Sequence, residues 1–260
     1  MLQDKVAIVT GSTSGIGLGI ARALAAQGAS LVLNGFGEAD DIEALRADTE
    51  RRYGVRVRHS GADMSRPEQV RALALDTERE LGRVDIVVNN AGIQHVAPVE
   101  DFDDAKWDAV LAINLSSAFH LVKALVPGMK RRGFGRLIHV ASAHGLTASP
   151  FKSAYVAAKH GLLGLSKTLA LELAEHGITS NTICPGYVKT PLVERQIADQ
   201  ARAHGIPPEQ VVRDVMLAHQ ARKQFVQVEE LAALAVFLAS DNAASLTGAA
   251  IAMDGGWTLH

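Results

Sequence analysis

The sequence predicts an α/β fold, a doubly wound parallel sheet with helices on both faces. Three observations carry the prediction. Short apolar runs alternate with longer amphipathic runs from one end of the 260-residue chain to the other. The short runs are continuously apolar, as in strands buried on both faces. No linker, repeat or low-complexity stretch breaks the rhythm, so one domain over 1–260 is expected.

Taken in order, strands are expected at 6–10, 31–34, 55–60, 85–89, 137–141, 179–184 and 249–253. Helical periodicity follows at 15–27, 66–81, 104–131, 153–175 and 228–240. Lys130-Arg131-Arg132 before Gly133 reads as a solvated helix C-terminus, where cations meet the negative end of the helix dipole. The segment 186–227 departs from the rhythm. It is helical in places but holds Pro191, Pro207 and Pro208, with Gly205 nearby. It leaves the carboxyl end of the sixth strand, where open α/β sheets bind ligands, and is expected to be a helical substrate lid.

A net charge of −2, from 26 basic and 28 acidic residues, gives no footprint for nucleic acid. The single cysteine, Cys184, forbids an internal disulfide and reads as a buried, inert thiol. Ten histidines without HExxH or HxH spacing, and without partner cysteines, argue against a metal site. No signal-peptide pattern and no apolar run of about 18 residues is seen, so no membrane partner and a cytoplasmic setting are expected.

The chemistry-bearing motifs sit at strand ends. The first strand enters Thr10-Gly11-Ser12-Thr13-Ser14-Gly15-Ile16-Gly17 and then a helix. Glycines 11, 15 and 17 permit a tight turn, close backbone approach to a pyrophosphate, and close packing of helix on strand. The helix N-terminus offers unpaired N–H groups to phosphates. Asn89-Asn90-Ala91-Gly92 ends the fourth strand, Ser142 follows the fifth, and Pro185-Gly186 ends the sixth. Tyr155 and Lys159 are four apart, on one face of the helix after Ser142. An ammonium so placed favours phenolate and turns a group with pKa ~10 into an acid/base for alcohol–ketone interconversion.

In order and spacing these motifs resemble the short-chain dehydrogenase/reductase family over the whole chain. The resemblance implies a Rossmann-like, seven-stranded sheet of order 3-2-1-4-5-6-7. It implies catalysis by Asn114, Ser142, Tyr155 and Lys159. It implies dinucleotide contacts from Gly11, Thr13, Ser14, Gly15, Ile16, Gly17, Phe36, Asp63, Met64, Asn90, Gly92, Tyr155, Lys159, Pro185, Gly186, Val188 and Thr190. The second strand ends Leu33-Asn34-Gly35-Phe36-Gly37, without the acidic residue that marks many NAD-binding relatives. No Lys or Arg adjoins it and Ser14 is uncharged, so a 2′-phosphate would lack a counterion and NAD is expected.

Substrate choice rests on the polar inventory around the catalytic groups. Gln94, His144, Lys152 and Gln196 supply amide, imidazole and ammonium donors suited to a small carboxylate. With Ser142-Ala143-His144-Gly145 and Gly255-Gly256-Trp257, the pattern resembles family members that interconvert D-3-hydroxybutyrate and acetoacetate. That resemblance implies substrate contacts from Gln94, Ser142, His144, Lys152, Tyr155, Gln196 and Trp257, although Trp257 equally suits a subunit interface. A 3-oxoacyl-carrier-protein reductase, a polyol dehydrogenase and a non-enzymatic dinucleotide sensor remain as rivals. Apolar residues on several faces of the 153–175 helix (Leu162, Leu163, Leu165, Leu169, Leu171, Leu173) suggest a partner subunit, and the resemblance implies a homotetramer.

Overall fold

The structure, a computed structural model, describes all residues except 191, 192, 195, 196, 199, 200, 203, 204 and 260. Seven parallel strands form one sheet in the order β3-β2-β1-β4-β5-β6-β7. They are β1 Val6–Val9, β2 Ser30–Asn34, β3 Val57–Ser60, β4 Ile86–Asn89, β5 Gly135–Val140, β6 Ile178–Pro185 and β7 Ala250–Met253. Successive residues on each strand enter different cores. Ala7, Val9, Leu31, Leu33, Ile86, Val88, Ile138 and Val140 pack on one side; Ile8, Val32, Val87 and Leu137 pack on the other. With both faces covered, the strands lose the polar alternation of a half-exposed sheet.

Helix α1 (Gly15–Ala26) and the last long helix cover the first side. Helices α3 (Pro67–Leu81) and α5 (Ser117–Arg132) cover the second. Helix α2 (Ala39–Tyr53), which no apolar stripe announced, buries only Thr49 fully and guards the sheet's β3 edge. Arg46 donates to the Val57 carbonyl and Glu50 accepts from its N–H, so α2 blocks the edge strand from pairing with another chain.

The helix expected over 104–131 has a break in its ladder. Helix α4 (Asp104–Leu111) passes through a π turn at Ala112–Ser116 before α5. The whole of Asp104–Arg132 is long and apolar enough to cross a membrane by length and composition, which corrects the expectation that no such segment exists. Here its apolar face is the core face: Leu121, Leu125 and Met129 are wholly buried against the sheet.

Helix α6 (Ser153–Leu173) uses most of its apolar residues inside the chain. Leu162, Leu163 and Leu173 are buried, Leu165 and Leu169 partly so, and only Leu171 stands free. The surplus read as a subunit face is largely core. Helix α7 (Val228–Ala239) packs on α1, where Gly19 leaves room for the Val228 side chain. Val188 and Val226 form a parallel bridge, so the 186–227 excursion returns to its own root.

Candidate active site

At the carboxyl ends of β1, β2 and β4 the chain builds a cradle of backbone. Gly11 and Gly15 adopt positive φ (61° and 56°), which a side chain would strain. A Cβ on Gly17 would sit 2.3 Å from the Gly11 carbonyl oxygen, so the first turn of α1 lies directly on the loop. Asn90 Nδ2 donates to the Thr10 and Gly11 carbonyls at 2.9 Å, and the Thr10 hydroxyl accepts from the Asn90 and Ala91 N–H groups. Ser14 is exposed at the N-cap of α1, with no acidic residue in the first turn. This turn presents helix N–H groups to solvent at the end of a positive dipole, a fit for the phosphates of a dinucleotide.

The neighbouring positions divide by task. Asn34 is consumed internally: its amide donates to the Ser60 and Ala62 carbonyls, and its oxygen accepts from the Gly11 N–H. Phe36 is 69% exposed beside the turn, and its carbonyl accepts from the Thr13 hydroxyl at 3.3 Å. The Asp63 carboxylate accepts from the Ser65 N–H and hydroxyl, which hold its pKa below the ordinary value. Met64 is a core residue and Ile16 packs partly into the core, so neither offers a free side chain. Gly186 lies so close to Asp254 that a Cβ would meet its Cα at 2.9 Å. Thr190 Cγ2 faces Gly15 at 3.9 Å from its ideal Cβ position, while the Thr190 hydroxyl accepts from Val193 N–H. Both readings of Thr190, as helix cap and as neighbour of the dinucleotide turn, are compatible.

The predicted catalytic groups converge beyond β4 and β5. Lys159 is buried; its Nζ donates to the Val140 carbonyl at 2.8 Å and lies 5.5 Å from the centre of the Tyr155 ring. Burial lowers its pKa to about 8. The Tyr155 phenol is pushed up by burial, and a hydrogen bond with Ser142 pulls the other way without cancelling it. The depressed phenol expected from Lys159 is therefore not produced by the side chains alone. Asn114 sits in the π turn and clamps Ile93, accepting from its N–H at 2.8 Å and donating to its carbonyl at 2.9 Å. The extra residue of a π turn re-aims a side chain within a helix, and here it fixes the loop after Gly92. A Cβ on Gly92 would lie 3.4 Å from Asn114 Oδ1 and 3.7 Å from Lys159 Nζ.

Beside Tyr155 lies a second polar group. Lys152 Nζ is 3.3 Å from His144 Nε2, its one hydrogen-bond partner among the described residues. Burial lowers the Lys152 pKa, and burial with the adjacent ammonium lowers that of His144 to about 4. A neutral imidazole accepting at Nε2 carries its proton on Nδ1, which is buried with no partner among the described residues. The His144 ring meets those of Trp257 (4.8 Å) and Tyr155 (6.2 Å), and Trp257 meets Tyr187 (6.2 Å). Gln94 is exposed on the loop after Gly92. Gln196 lies outside the described residues.

The comparisons agree with this geometry. Residues 11–258 match the family described as enoyl-(acyl carrier protein) reductase. The chain is 55% identical to the D-beta-hydroxybutyrate dehydrogenase of Rhizobium meliloti over 99% of its length and 100% of the relative's. It is 54% identical to that of Cupriavidus necator over the full length of both. The chain is a short-chain dehydrogenase/reductase. Among solved structures, L-sorbose reductase from Gluconobacter frateurii, complexed with NADPH and L-sorbose, superposes with a TM-score of 0.94 at 34% identity. That match covers 100% of this chain and 98% of the reductase. Nicotinamide-dinucleotide-dependent oxidoreduction is thus the activity of this short-chain dehydrogenase.

Three residues of the dehydrogenase site went unread in the sequence. Tyr187 joins the aromatic wall beside Trp257, directly after Gly186, which packs against Asp254 at the end of β7. Phe151 has φ +64°, uncommon for an aromatic residue, and its carbonyl accepts from Ala97 N–H, tying the Lys152 loop to the Gln94 loop. His139, wholly buried on β5, bonds to Asn89 and Ser180. An "apolar" strand run concealed it, and no local motif marks it.

Proposed function

We propose that the chain interconverts D-3-hydroxybutyrate and acetoacetate with NAD. The observation that carries this reading is Lys152: a partly buried ammonium without a carboxylate partner among the described residues, held by a neutral histidine beside the catalytic phenol. A cation in that state is stabilised by an anionic ligand. The hydroxyl and carboxylate of a 3-hydroxy acid are separated by one short spacer, so Tyr155 and Lys152 can hold both ends. The two D-beta-hydroxybutyrate dehydrogenases, identical over half their residues, support the same substrate.

A nicotinamide dinucleotide, when bound, supplies the hydride acceptor or donor. Gly11, Gly15, Gly17 and the N-terminus of α1 would hold its phosphates, with Thr13, Ser14, Phe36, Asp63, Asn90, Gly92, Val188 and Thr190 around it. In oxidation the substrate hydroxyl proton passes to the Tyr155 oxygen; in reduction Tyr155 returns it to the forming alkoxide. Ser142 donates a hydrogen bond to the substrate oxygen, and the Lys159 ammonium stabilises negative charge on the phenol. The positive nicotinamide would add to this field and offset the burial that raises the Tyr155 pKa. Asn114 keeps Ile93 and Gly92 against Lys159. Lys152, His144 and Gln94 orient the carboxylate; Trp257 bounds the pocket, and the segment 186–227 closes over it.

NAD is preferred over NADP because, among the described residues, no Lys or Arg contacts Ser14 or Phe36. Of the arginines on α2 and β3, Arg46 is engaged by Glu43 and Glu50, Arg51 by Asp48 and Arg58 by Glu80, while Arg52 lies over the Tyr53 ring. A cytoplasmic homotetramer completes the proposal; for its subunit contacts exposed Phe119 on α5 and Leu171 on α6 remain. The test is a panel of small hydroxy acids, polyols and acyl thioesters with NAD and NADP, followed by reduced-cofactor absorbance. Preferred turnover of 3-hydroxybutyrate with NAD supports the proposal; faster turnover of a polyol or thioester, or equal use of NADP, overturns it.

A further inference from the structure

A buried polar chain runs beneath the catalytic lysine. The Asn89 amide lies 3.1 Å from His139 Nδ1, His139 Nε2 lies 3.2 Å from Ser180 Oγ, and Ser180 Oγ lies 2.9 Å from Ser166 Oγ. All four side chains are buried, His139 and Ser180 completely. Asn89 and His139 stand opposite one another across β4 and β5. If Asn89 donates to Nδ1, Nε2 carries the proton and donates to Ser180, so a neutral imidazole satisfies every link.

Each end of this polar chain lies on an element that carries the machinery. Asn89 precedes Asn90, which clamps the Thr10 and Gly11 carbonyls. Ser166 and Lys159 share helix α6, and the residue after His139 is Val140, whose carbonyl accepts the Lys159 ammonium at 2.8 Å. An apolar residue at 139 would leave the Asn89 amide unpaired and Ser180 held by Ser166 alone, with the strand end free to shift.

We propose that His139 is a positioning residue: its imidazole ties the end of β4 to β6 and α6, and so fixes the Val140 carbonyl on which the Lys159 ammonium rests. The inference depends on the proton chemistry assigned to Tyr155 and Lys159, not on the identity of the substrate. The charged and titratable groups around it are few. Lys159 from α6 faces His139, and Cys184 of β6 faces Lys159, with Asp254 beyond it.

The role is read directly from the titration of Lys159. Carbon NMR of lysines labelled at Cε follows it in the full chain, with the resonance assigned by its loss in Lys159→Met. His139→Leu should lower the Lys159 midpoint by about half a unit or more, because the ammonium loses a fixed acceptor in a drier setting. His139→Gln, whose oxygen can accept from Asn89 and whose amide can donate to Ser180, should restore the wild-type midpoint. Ser180→Ala, a small change, should move it the same way as leucine but less, and decides the matter if His139→Leu does not fold. An unmoved midpoint in the folded variants, or a glutamine variant displaced as far as leucine, overturns the proposal. Failure of the wild type to oxidise 3-hydroxybutyrate would count against the proposed substrate and leave the titration result standing.

Discussion

Lys152→Ala separates binding of a carboxylate from maintenance of the fold. Lys152 is the N-cap residue of α6, yet its side chain caps nothing, so alanine removes no helix bond. Its ammonium is partly desolvated and, among the described residues, paired only with His144 Nε2. One charge-assisted hydrogen bond to substrate contributes on the order of 1.5–3 kcal/mol, which corresponds to roughly a 10- to 150-fold loss in kcat/KM for 3-hydroxybutyrate. Dinucleotide affinity should stay within about twofold, since Lys152 belongs to no part of the cofactor cradle. Thermal stability should hold or rise slightly, because the burial that lowers the Lys152 pKa is a cost of the charged form. Steady-state kinetics, a dinucleotide titration and a melting curve read all three quantities. A loss below threefold, or a parallel collapse of stability and cofactor binding, would rule out Lys152 as the carboxylate's partner.

Other consequences follow from the same geometry. Tyr155→Phe keeps the ring but removes the proton carrier, so kcat should fall about 10²–10⁴-fold with dinucleotide still bound; single-turnover absorbance checks this. Lys159→Met should abolish turnover and yet raise the melting temperature at neutral pH. Its folded pKa of about 8 lies below the unfolded value, so the charged form opposes folding. That penalty is full below pH 8 and is relieved as pH rises toward the unfolded value, and melting curves across that range measure it. Gly17→Ala would drive a methyl group into the Gly11 carbonyl, and dinucleotide affinity, measured by fluorescence quenching, should drop at least about tenfold.

Much of this was legible in the chain because the informative residues act locally. The Gly11–Gly17 turn, Tyr155 with Lys159, and the parallel strands all declare themselves through spacing or continuous apolarity. Lys152 and His144 were legible as residues, and the structure supplies their mutual contact. What stayed hidden depends on partners distant in sequence. Asn34 stands where many relatives carry an acidic cofactor contact, but its bonds go to Ser60, Ala62 and Gly11, a task no local pattern reveals. The leucines of α6 looked like surplus because helical periodicity cannot show that Leu162, Leu163 and Leu173 fill cores on more than one side. Helix α2 carries few apolar residues and so gave no stripe. The π turn at Asn114 leaves no mark in composition.

On the proposed function, Lys152 lets this short-chain dehydrogenase read a carboxylate beside the alcohol it oxidises. Comparing kcat/KM for D-3-hydroxybutyrate with that for its uncharged methyl ester tests it most directly, with NAD as acceptor. The acid should be preferred by at least about tenfold, and the preference should narrow in Lys152→Ala, in line with one charge-assisted bond. Equal oxidation of acid and ester by the wild type would contradict it.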